Sequence, residues 1–521
     1  MLRTILILLL LPLTLFAQVT PNDGSALNYR IIGFSFPEKE QAAGYEVEIA
    51  QGNCTTDAAF KKNITITATS DKNRVVAEVP AFGREYTWRA VYLDKRSKKT
   101  LGELHHFTTL TSPDVNPDSV RLRMMQANPK YDSDYVFVDG NAVLYDMKGQ
   151  PVWFFPKRPG LSPEAIHLRD TKLTPFGTIT SIINERAYEF NYNGDVIWKA
   201  PGDDKVIKDN TSSENAYHHE LTRLSNGHYM VMGFEADWWQ LPAPVDTATV
   251  MSLGDKLKRG PGSTEFQKMF FGTVVEYDAQ GKIVWKWSGG DYFKTSDLAT
   301  RMTPNGLFNL NDTHANAFYF DENTKTLLIS FRDINRVIKV AYPSGKVEEV
   351  YGKLYTAANS KDRHLLNGMF CGQHSCRLSA GGDLYLFNNN ICNRRSAPTI
   401  LVLKAPQSGN DTMTKVWEYE CPMDDQTAPS PVLFGFGGNV IELPDSTLFI
   451  CMGGTYGKLL IVNRDKQVLW SAQPEKWDVL TAKWSKQGAV LENRTSEGNY
   501  RSSILTRDEL EHLVWGEPLG K

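Results

Sequence analysis

Beyond its first eighteen residues this chain of 521 has no apolar run that could span a bilayer, no Cys-x-x-Cys pair and no basic stripe. The first absence excludes a later membrane helix. The second removes zinc-site spacing from its six cysteines. The third, with a net charge of −3, leaves nucleic acid and anionic membranes without a complementary surface. A phosphate-cradling loop is missing too: Gly345-Lys346 sits in a strand turn and lacks the upstream glycine.

The N-terminus, MLRTILILLLLPLTLFAQ, sets the compartment. Arg3 supplies a positive start, Ile5 to Phe16 a short apolar run, and Ala17 before Gln18 a cleavage position. This predicts a signal peptide over residues 1–17 and an exported, periplasmic mature protein without stable membrane insertion; an uncleaved anchor is the competing reading. No cysteine follows the cleavage position, so no lipid anchor is expected. Export makes disulfides expected among Cys54, Cys371, Cys376, Cys392, Cys421 and Cys451. Cys371 and Cys392 flank a predicted hairpin turning near Ser379 to Gly382, which favours their pairing; Cys371–Cys376 competes.

Residues 18–112 read as a small all-β domain in which YEVEIA, VVAEV and YTWRAVYL alternate apolar and polar positions between turn residues. Tyr86, Trp88 and Tyr92 share a strand face and belong in the core of a fibronectin- or immunoglobulin-like sandwich. TSPDVNPDS is the linker. From 113 to 521 one phrase recurs, a strand, a turn and a strand ending in Trp: LYDMKGQPVWFF, FNYNGDVIWKA, VEYDAQGKIVWKW, KVAYPSGKVEEVY, LVLKAPQSGNDTMTKVWEY and IVNRDKQVLWSA. Trp153, Trp198, Trp285, Trp417 and Trp470 hold equivalent places, with Glu349 in the fourth copy, and read as blade core. A second hairpin precedes most copies, as in ELTRLSNGHYMVMG and CRLSAGGDLYLFNN. Two hairpins per copy predict four-stranded blades, and six copies a six-bladed β-propeller. The insertion 236–270 is placed over one mouth of the channel, and GAVLENRTSEGNYRSSIL is a candidate to complete the first blade.

Three copies carry a histidine at the entry of the first strand. His219 and His374 each stand eight residues before a turn glycine, Gly227 and Gly382; His314 stands ten before Thr324. A lone histidine is most simply a hydrogen-bonded core residue, but three in one phase predict a shared site beside the channel. Arg332 and Asn388 to Asn390 leave the second strands at the same mouth, and Asn316 lies two after His314. Neutral imidazole can attack sulfur or phosphorus and pass the group on, with Arg332 and Asn316 steadying the oxygens. A three-histidine metal site competes, and the neighbouring arginine argues against it. Glu220 and Asp333 are expected to alternate away from the axis. Trp238 and Trp239 either line an acceptor pocket or pack the insertion.

The segments YHHELTRLSNGHYMVMG, THANAFYFDENTKTLLISFRDINRVIKV and GQHSCRLSAGGDLYLFNNN resemble the bacterial arylsulfate sulfotransferases that use no nucleotide sulfate donor; the resemblance spans about residues 120–475. It implies a sulfotransferase without cofactor or metal that takes sulfate from a phenolic ester onto a histidine and releases it to an acceptor phenol. On that resemblance His374 is the nucleophile, His314, Asn316 and Arg332 hold the sulfuryl oxygens, and His219 orients sulfate or assists proton transfer, with His218 its adjacent alternative. The family's sixth blade offers a hydroxyl at the channel; here that entry reads Gly437-Gly438-Asn439. Two other classes stand beside this reading: a metal-dependent propeller lyase or hydrolase, and a non-catalytic binding propeller whose small domain serves adhesion or a homodimer.

Overall fold

The computed structural model describes residues 19–111, 119–156, 168–202, 217–241, 257–260, 265–294, 313–352, 369–379, 381–391, 397–405, 413–423, 437–454, 457–478, 481–486, 490–491, 494–495 and 498–520. The signal-peptide stretch, most of the linker and Cys392 lie outside them. The chain separates into two compact units, 1–113 and 114–521. No helix among the described residues is long and apolar enough to cross a membrane.

The first unit is all-β apart from the short helix Asp57–Asn63. Its larger sheet runs Ser25–Leu27, His105–Thr109, Glu85–Leu93, Gly44–Gln51 and Ile64–Ser70, with Lys99–Leu101 on the Glu85–Leu93 strand; a second pairs Ile31–Ser35 with Arg74–Glu78. Strand alternation turns Tyr86 and Trp88 inward to full burial. Phe34 meets Trp88 edge-on at 5.0 Å, and Tyr92, half-buried, packs on Phe36 and Tyr45.

The second unit holds six antiparallel sheets with four blade strands each, and together they form a six-bladed β-propeller. The inner strands of blades two to six are Leu168–Leu173, Tyr217–Arg223, Ala315–Asp321, His374–Leu378 and Asn439–Glu442. Blade one takes its inner strand, Ser502–Leu505, from the far end of the chain, where it pairs with Tyr135–Val138. Neighbouring inner strands touch around the ring. The circle is sealed where Asn439 Nδ2 donates to the Ser502 carbonyl and the Ser502 amide donates to Asn439 Oδ1. On the outside of blade six, Val120–Gln126 adds to Val468–Asp478, so both ends of the unit close it.

The repeated tryptophans do more than fill blades. Trp153, Trp285, Trp417 and Trp470 each donate their indole N–H to a carbonyl in the following blade: Tyr192, Pro343, Arg464 and Met147, at 2.7 to 3.0 Å. A large apolar ring with one donor suits that seam between blades. Trp198 instead stacks on Tyr229 at 3.6 Å, and Glu349, standing where a tryptophan would, bonds Lys339 and Tyr351. The insertion in blade three is, in its described part, a long hairpin of Tyr229–Gln240 and Glu265–Tyr277.

Candidate active site

Each inner strand from blade two to blade five breaks register near its entry. The shifts fall between Arg169 and Lys172, Tyr217 and Leu221, Ala315 and Ala317, and His374 and Cys376. Left-handed residues sit at or beside them: Asp170, His219, His314 and Ser375, with φ of 57, 67, 52 and 52°. Such a backbone costs about 1–3 kcal/mol per residue and persists only where surroundings enforce it. Bulges of this kind re-aim side chains, and here they turn several toward one point.

This corrects the idea that the three histidines share a rung. Ala315, not His314, faces Phe331 as His374 faces Phe387; convergence comes from the bulges. It also corrects the expected alternation. His218 and His219 line the same cavity, and Glu220, expected to point away, is buried and ion-paired to Arg501. Asp333 likewise stays by the site, 2.8 Å from Arg332 Nε and 3.8 Å from His314 Nδ1.

His374 is buried, with Nδ1 2.7 Å from Asn389 Oδ1. An amide oxygen only accepts, so Nδ1 carries the proton and Nε2 keeps its lone pair; the Gly437 N–H reaches that Nε2 at 3.3 Å. The residues before His374 fix the strand to blade four. Gly372 donates to Asn335 Oδ1, and Gln373 Nε2 donates to Ser330 Oγ and to the carbonyls of Phe331 and Arg336. Burial, with Arg332 and Arg501 close by, holds the His374 imidazole well below its ordinary value and therefore neutral.

His219 and His314 rings lie 5.3 Å apart, and Tyr500 stands between sides of the cluster, 5.6 Å from His219 and 6.0 Å from His374. His218 and His219 face each other Nδ1 to Nδ1 at 2.5 Å, and His218 Nε2 lies 3.1 Å from the Gly233 carbonyl. With His218 donating to that carbonyl, His219 supplies the shared proton and keeps Nε2 as an acceptor. Burial first, then His218 and His314, push His219 well below its ordinary value. Neutral His374 and His219 beside Arg169 and Arg332 leave a site suited to an anion. Asn316 serves a different contact from the one expected: its Nδ2 donates to the Gln373 carbonyl at 2.7 Å, and its Oδ1 is buried with no hydrogen bond.

Beside His219 and His314 opens a cavity of about 320 Å³ lined by His218, Phe234, Phe270, Gly272 and Ala315. Its aromatic walls are Phe234 and Phe270. Trp238 and Trp239 do not line it: they lie in the Tyr229–Gln240 strand, and Trp239 packs on Phe271 at 4.9 Å in the blade core. Among the described residues no group of three His, Cys, Asp or Glu is arranged to hold a metal ion.

A family model described as arylsulfotransferase (ASST) matches residues 123–439. The chain belongs to that family. It is thus an arylsulfotransferase acting on small aryl substrates. No curated protein matches the chain. Among solved structures, a Bacteroides caccae protein of unknown function is 13% identical, with 65% of this chain and 93% of that one covered and a TM-score of 0.38. A luciferin-regenerating enzyme is 7% identical over 69% and 91%, TM-score 0.32. Kuenenia stuttgartiensis hydrazine synthase is 8% identical over 64% and 98%, TM-score 0.27. None of these likenesses bears on the site.

Several site residues of this arylsulfotransferase were not singled out from sequence. Asn389 was one of an asparagine run at the mouth. Arg169, Tyr500 and Arg501 carry no signal in the repeat pattern, and the last two arrive from the C-terminal segment. Cys376 is a free thiol, as are Cys54, Cys421 and Cys451, so the Cys371–Cys376 alternative is overturned. Cys371 is disulfide-bonded.

Proposed function

We propose that this arylsulfotransferase moves a sulfuryl group from a phenolic sulfate ester to an acceptor phenol by a ping-pong route through sulfohistidine at His374, without a nucleotide donor. The observation that carries this reading is the pairing of His374 Nδ1 with Asn389 Oδ1, which leaves a neutral Nε2 lone pair in a site ringed by Arg332, Arg169 and two further histidines.

In the first half-reaction the Nε2 lone pair attacks sulfur, an N–S bond forms, and the S–O bond to the aryl group breaks. The electron pair leaves on the aryl oxygen, which departs as phenolate and takes its proton from solvent. Asn389 cannot accept the Nδ1 proton, so the ring of the adduct stays cationic and its N–S bond weak. In the second half-reaction the acceptor oxygen attacks sulfur, loses its proton, and returns the electron pair to Nε2. Arg332 and His314 steady the sulfuryl oxygens through both steps. In the second half-reaction His219 Nε2 takes the acceptor's phenolic proton and releases it to solvent, with His218 fixing its tautomer. The Phe234–Phe270 cavity takes the aromatic ring. Asn316 keeps its place in the site by tying blade four to the residue preceding His374. The N-terminal leader supports export to the periplasm.

The test is phenol release from a chromogenic aryl sulfate by purified protein, with and without an acceptor phenol. Acceptor-dependent release that survives chelator, disappears in His374→Ala and leaves a sulfuryl mass on the His374 peptide is expected. Release abolished by chelator, or no turnover with any aryl sulfate, would replace this reading with metal-dependent chemistry or ligand binding.

A further inference from the structure

Arg501 lies beyond the stretch that matches the family model, yet it reaches the centre of the propeller. Its Nη1 donates to Asp170 Oδ1 on blade two at 2.8 Å and to Glu220 Oε2 on blade three at 2.5 Å; its Nη2 donates to the Asn316 carbonyl on blade four at 2.8 Å. The backbone on either side is clamped from blade one, where Asp139 accepts the amides of Tyr500 and Arg501 at 2.9 and 2.8 Å. From blade six, the Gly438 amide donates to the Tyr500 carbonyl.

The three acceptors of Arg501 coincide with the strained entries. Asp170 is itself left-handed, Glu220 follows the left-handed His219, and Asn316 stands two after the left-handed His314. Asn316 then passes the constraint on through its bond to the Gln373 carbonyl, one residue before His374. Lys172 balances the second carboxylate, 2.8 Å from both Asp170 and Glu220. Two anions and two cations therefore neutralise each other below the histidines. Burial alone would raise Glu220, but Arg501 and Lys172 overcome it and bring its carboxyl down to about 2.

We propose that Arg501 is a positioning residue for sulfuryl transfer: by bridging Asp170, Glu220 and Asn316 it holds the bulged entries of three blades so that His219 and His314 face His374. The role rests on the transfer reading above. It makes the site conditional on the C-terminal strand, because the same segment completes blade one.

Two variants test it. Arg501→Lys keeps the charge but offers a point ammonium where a planar fork bridges three acceptors. Arg501→Met combined with Glu220→Gln leaves Lys172 against Asp170, so charge stays balanced. Expected for both is cooperative melting, a kcat on an aryl sulfate lowered on the order of a hundredfold, and a KM within about threefold, because the aromatic walls Phe234 and Phe270 are untouched. A second readout needs no turnover: titration of isotope-labelled histidine by NMR. His374 is faced by Arg332 and His314 from blade four, His219 from blade three, Asn389 from its own blade, and Tyr500 and Arg501 from the C-terminal segment. In the double variant, which removes the Arg501 cation, His374 should protonate at higher pH; for Arg501→Lys, which keeps the charge, the readout is kcat alone.

Folded variants with wild-type kcat, or with only a lower melting temperature while kcat and the His374 titration stay put, would overturn the proposal and leave Arg501 as a closure residue alone. Wild-type protein without His374-dependent turnover would sink the transfer reading itself, a result distinct from failure of the variants.

Discussion

His374 Nδ1–H donates a hydrogen bond to Asn389 Oδ1 at 2.7 Å, while Asn389 Nδ2 donates to the Gly437 carbonyl at 3.1 Å. One amide therefore sets the tautomer of the imidazole on blade five and ties it to the entry of blade six. Asn389→Ala removes both bonds. Its kcat is expected to fall on the order of a hundredfold, with thermal stability changed by only about 1–3 kcal/mol. Single-turnover loading of His374, followed by mass, would show it; unchanged loading would mean that the tautomer is held by other means.

The histidines make stability depend on pH with a definite sign. His374 and His219 are both held well below the ordinary 6.5, chiefly by burial. Below pH 6.5 the unfolded chain binds protons that the folded one refuses, so stability is complete above that value and declines as pH falls. Each histidine contributes a slope of up to about 1.4 kcal/mol per pH unit. Replacing His219 by Asn should flatten the fall of melting temperature between pH 6.5 and 5, whereas an identical slope would show that His219 protonates freely in the folded state.

Gly437 and Gly438 are required by space as well as by their left-handed φ of 70 and 94°. A Cβ on Gly437 would come 2.3 Å from the Tyr500 carbonyl oxygen, and one on Gly438 would come 2.5 Å from the Phe387 ring. Gly438→Ala should cost about 1–3 kcal/mol, read by denaturant unfolding. Gly437→Thr, which places a hydroxyl where the resemblance expects one, should lower kcat by displacing Tyr500. A rise in kcat would show that the segment makes room.

Phe234 and Phe270 pack edge-on at 5.9 Å and wall the cavity beside His219. Truncating either to Ala removes ring contact without touching the sulfur chemistry. KM for an aryl sulfate should rise about tenfold with kcat within about threefold. Were kcat to fall while KM held, the aromatic ring would bind elsewhere.

The repeat phrase was legible because blade strands alternate with period two and end in a bulky ring; that local pattern survives in sequence whatever the blade's neighbours do. His374, His314 and Arg332 could be named as candidates because they stand at strand entries and exits. Which side chains meet was harder to read. Alternation assigned His218 and His219 to opposite faces and sent Glu220 outward, but the bulge at His219 breaks that period, and no residue in YHHELTR announces it. Sequence left Trp238 and Trp239 open between a pocket wall and packing of the insertion; the cavity's aromatic lining on that strand is Phe234, four residues before Trp238.

What the sequence determined by itself was the strand pattern, the copy number and the residue types at each entry, all properties of neighbouring residues. What only the tertiary structure decided was the meeting of Arg501 with Asp170, Glu220 and Asn316, across separations of up to 331 residues. Closing the ring brings a C-terminal strand beside Tyr135–Val138, and a contact created by closure leaves no periodic trace in either segment.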